Sequence, residues 1–140
     1  MQQLMRGILF LFVCVSLVSL VGCGEKIAPV SGTVTCNGEP VTGAMVEFYP
    51  IPPEGEVNAA TRSAIGQLDE NGNYTLSTNA EGDGAWVGRH SVQITPDVEV
   101  IETEDDEIEI ETKLPGTLAE DYEVEVKSGK NTIDIELEPK

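Results

Sequence analysis

Histidine occurs once in this chain, at position 90, tryptophan once, at position 86, and cysteine three times, at positions 14, 23 and 36. A single histidine leaves a zinc centre or a Cys/His nucleophile short of parts. Basic residues are also scarce: eight Lys and Arg stand against 25 Asp and Glu, for a formal net charge of −17. That sign disfavours nucleic acid as a partner and any general attraction to anionic headgroups. Beyond the N-terminal apolar run no stretch has a helical period, and no Gly-rich phosphate loop leads into a helix. Low-complexity tracts and internal repeats are absent, and 140 residues suit one domain.

What is present begins at the N-terminus. Met1 to Arg6 carries one positive charge, and Gly7 to Val21 is an uncharged run rich in Leu, Val and Phe. The run is shorter than the ~20 apolar residues a membrane-spanning helix needs. A charged start, a short apolar helix and small residues before a cleavage point describe a secretory signal. Leu20-Val21-Gly22-Cys23 resembles the lipobox of bacterial lipoproteins. The resemblance implies that residues 1–22 are removed and that Cys23 becomes a diacylglycerol thioether with an acylated amine. Several acyl chains make such attachment stable, since each buried methylene contributes ~0.8 kcal/mol. Removal of Arg6 leaves the mature chain one unit more negative. With Cys14 discarded and Cys23 lipidated, only Cys36 remains, so no intrachain disulfide is expected.

Residues 23–28 read as a lipidated tether, and 29–140 read as one domain of short strands. Val30, Gly32, Val34 and Cys36 share a face, then Asn37-Gly38 signals a hairpin turn. Ala44 to Tyr49 is the next strand, broken by Pro50, Pro52, Pro53 and Gly55. Thr61 to Leu68 is a weaker strand. Asp69-Glu70-Asn71-Gly72-Asn73 is a turn leading into Tyr74 to Ser77. Arg89 to Thr95 places His90, Val92 and Ile94 on one side. Asp97 to Glu111 holds nine acidic residues, with a solvated loop expected at its centre, strand ends at its flanks, and a short edge strand at Ile108 and Ile110. Tyr122 to Val126 and Ile133 to Leu137 alternate again, joined by the turn Ser128-Gly129-Lys130-Asn131. The pattern predicts an all-β, antiparallel, seven-stranded β-sandwich of Greek-key, Ig-like type. Its core is expected to be aliphatic, with Phe48, Tyr74, Trp86 and Tyr122 as the larger pieces.

Three segments together resemble the carboxypeptidase regulatory-like domain, a transthyretin-like or prealbumin-like β-sandwich. They are Val30 to Thr35, Asn37 to Ala44 with Val46-Glu47-Phe48-Tyr49-Pro50, and the Asp69 to Leu76 turn and strand. Gly84 to Ile94 is similar to the following turn and strand, and Val124 to Leu137 to the closing hairpin of short planctomycete-type lipoproteins. Leu68 stands where the family commonly has Thr, and Leu114-Pro115 is not followed by a Lys-Tyr pair. The resemblance implies a structural and interaction module without catalytic residues or cofactor.

The expected sites are accordingly few. Cys23 is the lipidation site, with Leu20, Val21 and Gly22 completing the lipobox; Asn37, Gly38, Asp69, Asn71 and Gly72 are structural turn residues. No metal site is expected at Asp69, since an EF-hand loop takes Gly sixth and Glu twelfth, whereas Gly72 is fourth and Ala80 twelfth. The acidic run supplies the only cation candidates, Glu104, Asp105, Asp106 and Glu107, against the simpler expectation of a self-repelling solvated loop. The leading expectation is a non-enzymatic, lipid-anchored module of the cell envelope; the resemblance to Gram-negative lipoproteins, in which Asp after the lipidated cysteine signals inner-membrane retention, implies the outer membrane over the inner, since Gly24 stands there. Its partners would be the membrane, through Cys23, and an unidentified envelope protein. Binding of a glycan or divalent cation, and an accessory role in an envelope complex, are the alternatives.

Overall fold

The computed structural model describes residues 26–55, 62–102 and 107–140; the expected signal helix and the lipobox residues Leu20 to Cys23 lie outside them. The described chain is all-β, without a helix, and its sheets do not close into a barrel. Strands of three or more residues run β1 Val30–Cys36, β2 Ala44–Pro50, β3 Ala64–Gln67, β4 Asn73–Thr75, β5 Gly88–Pro96, β6 Val98–Glu102, β7 Glu107–Glu111, β8 Glu123–Val126 and β9 Ile135–Pro139.

One sheet is four-stranded and antiparallel, in the order β8-β5-β2-β3. Its long pair is β2 with β5, from Ala44 opposite Pro96 to Pro50 opposite His90. Period-2 alternation dictates which side is buried: Ala44, Val46 and Phe48 are buried from β2, and His90 and Val92 from β5. The second sheet is built around β1. One edge of β1 pairs antiparallel with Glu39–Pro40 and β4. The opposite edge pairs in parallel, first with Asn131–Thr132 and then with β9. Between these two parallel pieces the ladder is interrupted, and the Asp134 carboxylate fills in, accepting from the Thr33 N–H and hydroxyl at 3.0 Å each.

The wholly antiparallel expectation is therefore corrected: the first and last long strands of the domain lie side by side and parallel. The expected closing hairpin over Val124 to Leu137 is corrected for the same reason. β8 belongs to the four-stranded sheet and β9 to the other, so the connection carries the chain between sheets. The turn residue Asn131 holds that crossing, its amide donating to the Lys127 and Gly129 carbonyls at 2.7 and 3.0 Å while its oxygen accepts from the Lys127 N–H. Local alternation in β8 and β9 is the same whether they pair with each other or with different neighbours.

Both sheets contribute to one core. Val30, Val34, Ile135 and Leu137 come from the sheet around β1, and Val46, Phe48, Val92 and Val126 from the other. Phe48 is fully buried at the centre, its ring 6.3 Å from Tyr74 and 5.8 Å from His90. Cys36 is a buried free thiol. Trp86, expected within the core, is only partly buried.

The flanks of the acidic run are strands, as the alternation at Ile108 and Ile110 led one to expect. They form a two-stranded hairpin, β6 with β7, in which Glu102 stands opposite Glu107 and Ile101 opposite Ile108. Residues 103–106 lie outside the described residues. The base of the hairpin is tied down: the Asp97 N–H donates to the Gly43 carbonyl, the Thr112 N–H donates to the Asp97 carbonyl, and Gln67 donates to both Asp97 carboxylate oxygens at 3.0 and 2.7 Å.

Candidate functional site

The turn residues are engaged by the chain itself. Asn37 and Gly38, with φ of 53° and 79°, form the two-residue link between Cys36 and its partner Glu39. Asp69 Oδ1 accepts from the Asn71 and Asn73 N–H groups at 2.8 and 2.9 Å, and Oδ2 accepts from the Asn73 amide at 3.1 Å. Donation by Asn73, from backbone and then side chain, together with the Asn71 N–H, holds the Asp69 carboxyl below its ordinary pKa. Its oxygens are thus directed at backbone and amide donors within its own turn, which is the work of a capping residue. Gly72 has φ of 74°, and a Cβ there would lie 2.7 Å from the Val34 carbonyl oxygen. Asp83 plays the corresponding part in the next loop, accepting from the N–H groups of Thr78, Asn79 and Ala80.

Of the cation candidates, Glu104, Asp105 and Asp106 lie outside the described residues, and Glu107 begins β7. Among the described residues no group of three or more His, Cys, Asp and Glu is placed to hold a metal ion.

The arrangement that sequence reasoning missed is a cleft of about 680 Å³ where β2 runs out into the proline segment. Pro50, Ile51 and Pro52 form one wall, and Trp86, Val87 and His90 contribute to the other. Backbone bonds set the walls: the Ile51 N–H donates to the Arg89 carbonyl at 2.8 Å, and Ala85–Trp86 pairs antiparallel with Ile27–Ala28. The Val87 N–H then donates to the Lys26 carbonyl at 2.9 Å. Arg89, which also lines the cleft, forms an exposed ion pair with Glu123 across β5 and β8. The only signals of this site in the sequence are the Pro-Ile-Pro-Pro run and the lone tryptophan, which lie more than thirty residues apart.

Two nitrogens at this cleft are buried without a hydrogen-bond partner, Trp86 Nε1 and His90 Nε2. His90 is 1% exposed, and its Nδ1 lies 3.1 Å from the Gly88 carbonyl oxygen. A carbonyl only accepts, so Nδ1 carries the proton and Nε2 presents a lone pair in the neutral ring. Desolvation lowers the His90 pKa, against a smaller opposing effect of the Gly88 carbonyl, and keeps the ring neutral. The cleft is thus lined mainly by apolar side chains, with Glu54, Arg89 and Glu125 among them, and two of its lining residues each hold one buried, unpaired ring nitrogen. Such groups each cost ~1–3 kcal/mol when left unpaired.

No family model, curated protein or solved structure matches this chain. Among the described residues no helix is long and apolar enough to cross a membrane.

Proposed function

We propose that this chain is a lipid-anchored, non-enzymatic module of the cell envelope, held at the membrane through Cys23 and presenting a β-sandwich of transthyretin-like type to an envelope partner. The supporting observation is the order of parts along the chain. A charged start, an apolar run and Leu20-Val21-Gly22-Cys23 are followed within three residues by Lys26, whose carbonyl is already hydrogen-bonded to the folded domain. A retained anchor of that length leaves no room for an intervening domain between lipid and β-sheet.

The sandwich reading draws support from two sheets that share one apolar core, with seven longer strands between them among the described residues. The interaction role draws support from the way candidate chemical groups are used. The Asp69 and Asp83 carboxylates cap backbone, and the single histidine packs against Phe48. Surface for a partner is provided by the β6–β7 hairpin, where Val98, Ile108 and Ile110 are each about half exposed among acidic neighbours.

Metabolic labelling with a fatty-acid analogue tests the anchor. The chain should label and fractionate with membranes, and Cys23→Ala should do neither. Continued labelling of Cys23→Ala would refute the assignment. Crosslinking and pull-down from the native envelope then tests the partner, and recovery of the chain with no crosslinked protein would count against an interaction role.

A further inference from the structure

We infer that the Trp86–Val87 edge and the Pro50–Pro53 segment form the membrane-proximal end of the domain and rest in the lipid headgroup layer. The inference rests on the lipid anchor proposed above. It begins from a covalent limit. Lys26 is three residues along from Cys23, and a fully extended chain spans at most ~3.6 Å per residue, so the Lys26 Cα stays within about 11 Å of the Cα that carries the lipidated side chain. Lys26 is not free to wander from the fold: its carbonyl accepts from the Val87 N–H, and Ile27 pairs with Trp86. Whatever lies beside Trp86 and Val87 is therefore brought to the bilayer surface with them.

The residues at that edge have the chemistry of an interfacial contact. Val87 is 40% exposed, Pro52 and Pro53 are exposed, and the partly buried Ile51 lines the same cleft as Trp86. Tryptophan, with an apolar body and one N–H, favours the boundary between hydrocarbon and water. Its Nε1 and the neighbouring His90 Nε2 lack partners among the described residues. Both nitrogens are buried, so contact with the headgroups is made by the exposed Val87, Pro52 and Pro53 beside them.

Charge placement points the same way. A net charge of −17 opposes approach to an anionic surface if spread evenly. The most acidic stretch, however, springs from the opposite end of β2: Asp97 is bonded to Gly43, beside Ala44, whereas the cleft begins at Pro50. Seven residues of strand separate those ends by about 20 Å. Screening acts over ~8 Å at physiological salt, so the root of the acidic hairpin stands more than two screening lengths from the cleft. At the cleft end the charges are mixed: Lys26 is exposed, Arg89 is paired with Glu123, and Glu54 and Glu125 also line the cleft, so no acidic block of the kind that follows Asp97 stands there.

Trp86 is the single tryptophan of the whole chain, so its fluorescence reports on this edge alone. The full chain, expressed in a lipid-modifying bacterium, is reconstituted into phosphatidylethanolamine/phosphatidylglycerol vesicles with and without brominated acyl chains. The expected result is co-sedimentation with vesicles, a shift of Trp86 emission to shorter wavelength, and loss of emission with brominated lipid. Val87→Glu should reduce the quenching while leaving co-sedimentation and circular dichroism unchanged. Co-sedimentation without quenching overturns the inference and leaves the anchor standing. Failure to co-sediment overturns both. A Trp86 response to a neutral disaccharide such as trehalose, with no response to brominated lipid, overturns it in favour of a saccharide cleft. If Val87→Glu fails to fold, Pro53→Glu, on an exposed part of the opposite wall, provides the same comparison.

Discussion

The Tyr74 hydroxyl donates to the Ile133 carbonyl oxygen at 2.6 Å, joining the edge strand β4 to the chain on the far side of β1. The bond passes over Gly32, which lies directly opposite Tyr74 in the ladder. A Cβ at Gly32 would stand 1.9 Å from the same Ile133 oxygen and 3.1 Å from the Tyr74 ring. Hydroxyl, glycine and carbonyl therefore form one unit that locks three segments together.

Replacing either member should loosen that unit by different means. Tyr74→Phe removes the donor and should destabilise the domain by about 1 kcal/mol. Gly32→Ala forces backbone apart and should cost more, about 1–3 kcal/mol by the overpacking of a closed site. Urea unfolding at neutral pH measures both. Equal stability of Gly32→Ala and the parent would mean that β1 and Ile133 are not in contact.

Tyr74 also predicts an alkaline limit. Burial, with smaller contributions from Asp134 and Tyr122, raises its pKa above the ordinary value. An unfolded tyrosine ionises near ~10, so the stabilisation is complete below that pH and is lost as pH rises above it. Chemical denaturation from neutral pH to about 11 should show declining stability, and the decline should be shallower in Tyr74→Phe.

On the acid side two groups act in sequence. The buried His90 has a lowered pKa, so the unfolded chain takes up a proton near ~6.5 that the folded chain resists. Stability from this source is present above pH ~6.5 and falls as pH drops below it. Asp69 has a lowered pKa through the donors Asn73 and Asn71, so its contribution persists to lower pH. It begins to be lost near ~3.9, where the unfolded carboxylate takes up its proton, and is gone once pH has fallen through the lower pKa of the folded chain. Proton titration by NMR of His90 and Asp69 checks both directions.

Gly72→Val tests the turn that precedes β4. The position has φ of 74°, and any Cβ would press on the Val34 carbonyl at 2.7 Å. A branched side chain in that backbone should cost about 1–3 kcal/mol. An unchanged melting temperature would show that the turn adopts another conformation.

Calcium titration tests the acidic run. Tight binding needs six to eight oxygens held in place, so weak, millimolar-type binding is expected from Glu104, Asp105, Asp106 and Glu107. Micromolar affinity that is lost when Asp105 and Asp106 become Asn would make this a calcium-dependent module.

The all-β class was legible because alternation is local: Val30, Val34 and Cys36, or Ile135 and Leu137, announce a half-buried strand whatever lies beside them. Turns were legible for the same reason, since Asn-Gly and Asp-x-Asn-Gly act through their own backbone. The Pro50–Pro53 wall and Trp86 are each visible as residues, yet nothing local joins them into a cleft.

By itself, then, the amino-acid order determined which segments extend, where they turn and which of their faces are apolar, since each of these is decided within a few neighbouring residues. The resemblance of Leu20-Val21-Gly22-Cys23 to a lipobox is likewise read from four adjacent residues. Only the tertiary structure decided that β9 runs parallel to β1, that β8 and β9 part into different sheets, and that Trp86 meets Ile27 beside His90. Strand pairing uses backbone N–H and C=O groups that every residue but proline carries alike. A side-chain pattern marks the face a strand buries, whereas the neighbour it takes is selected by packing the whole core at once.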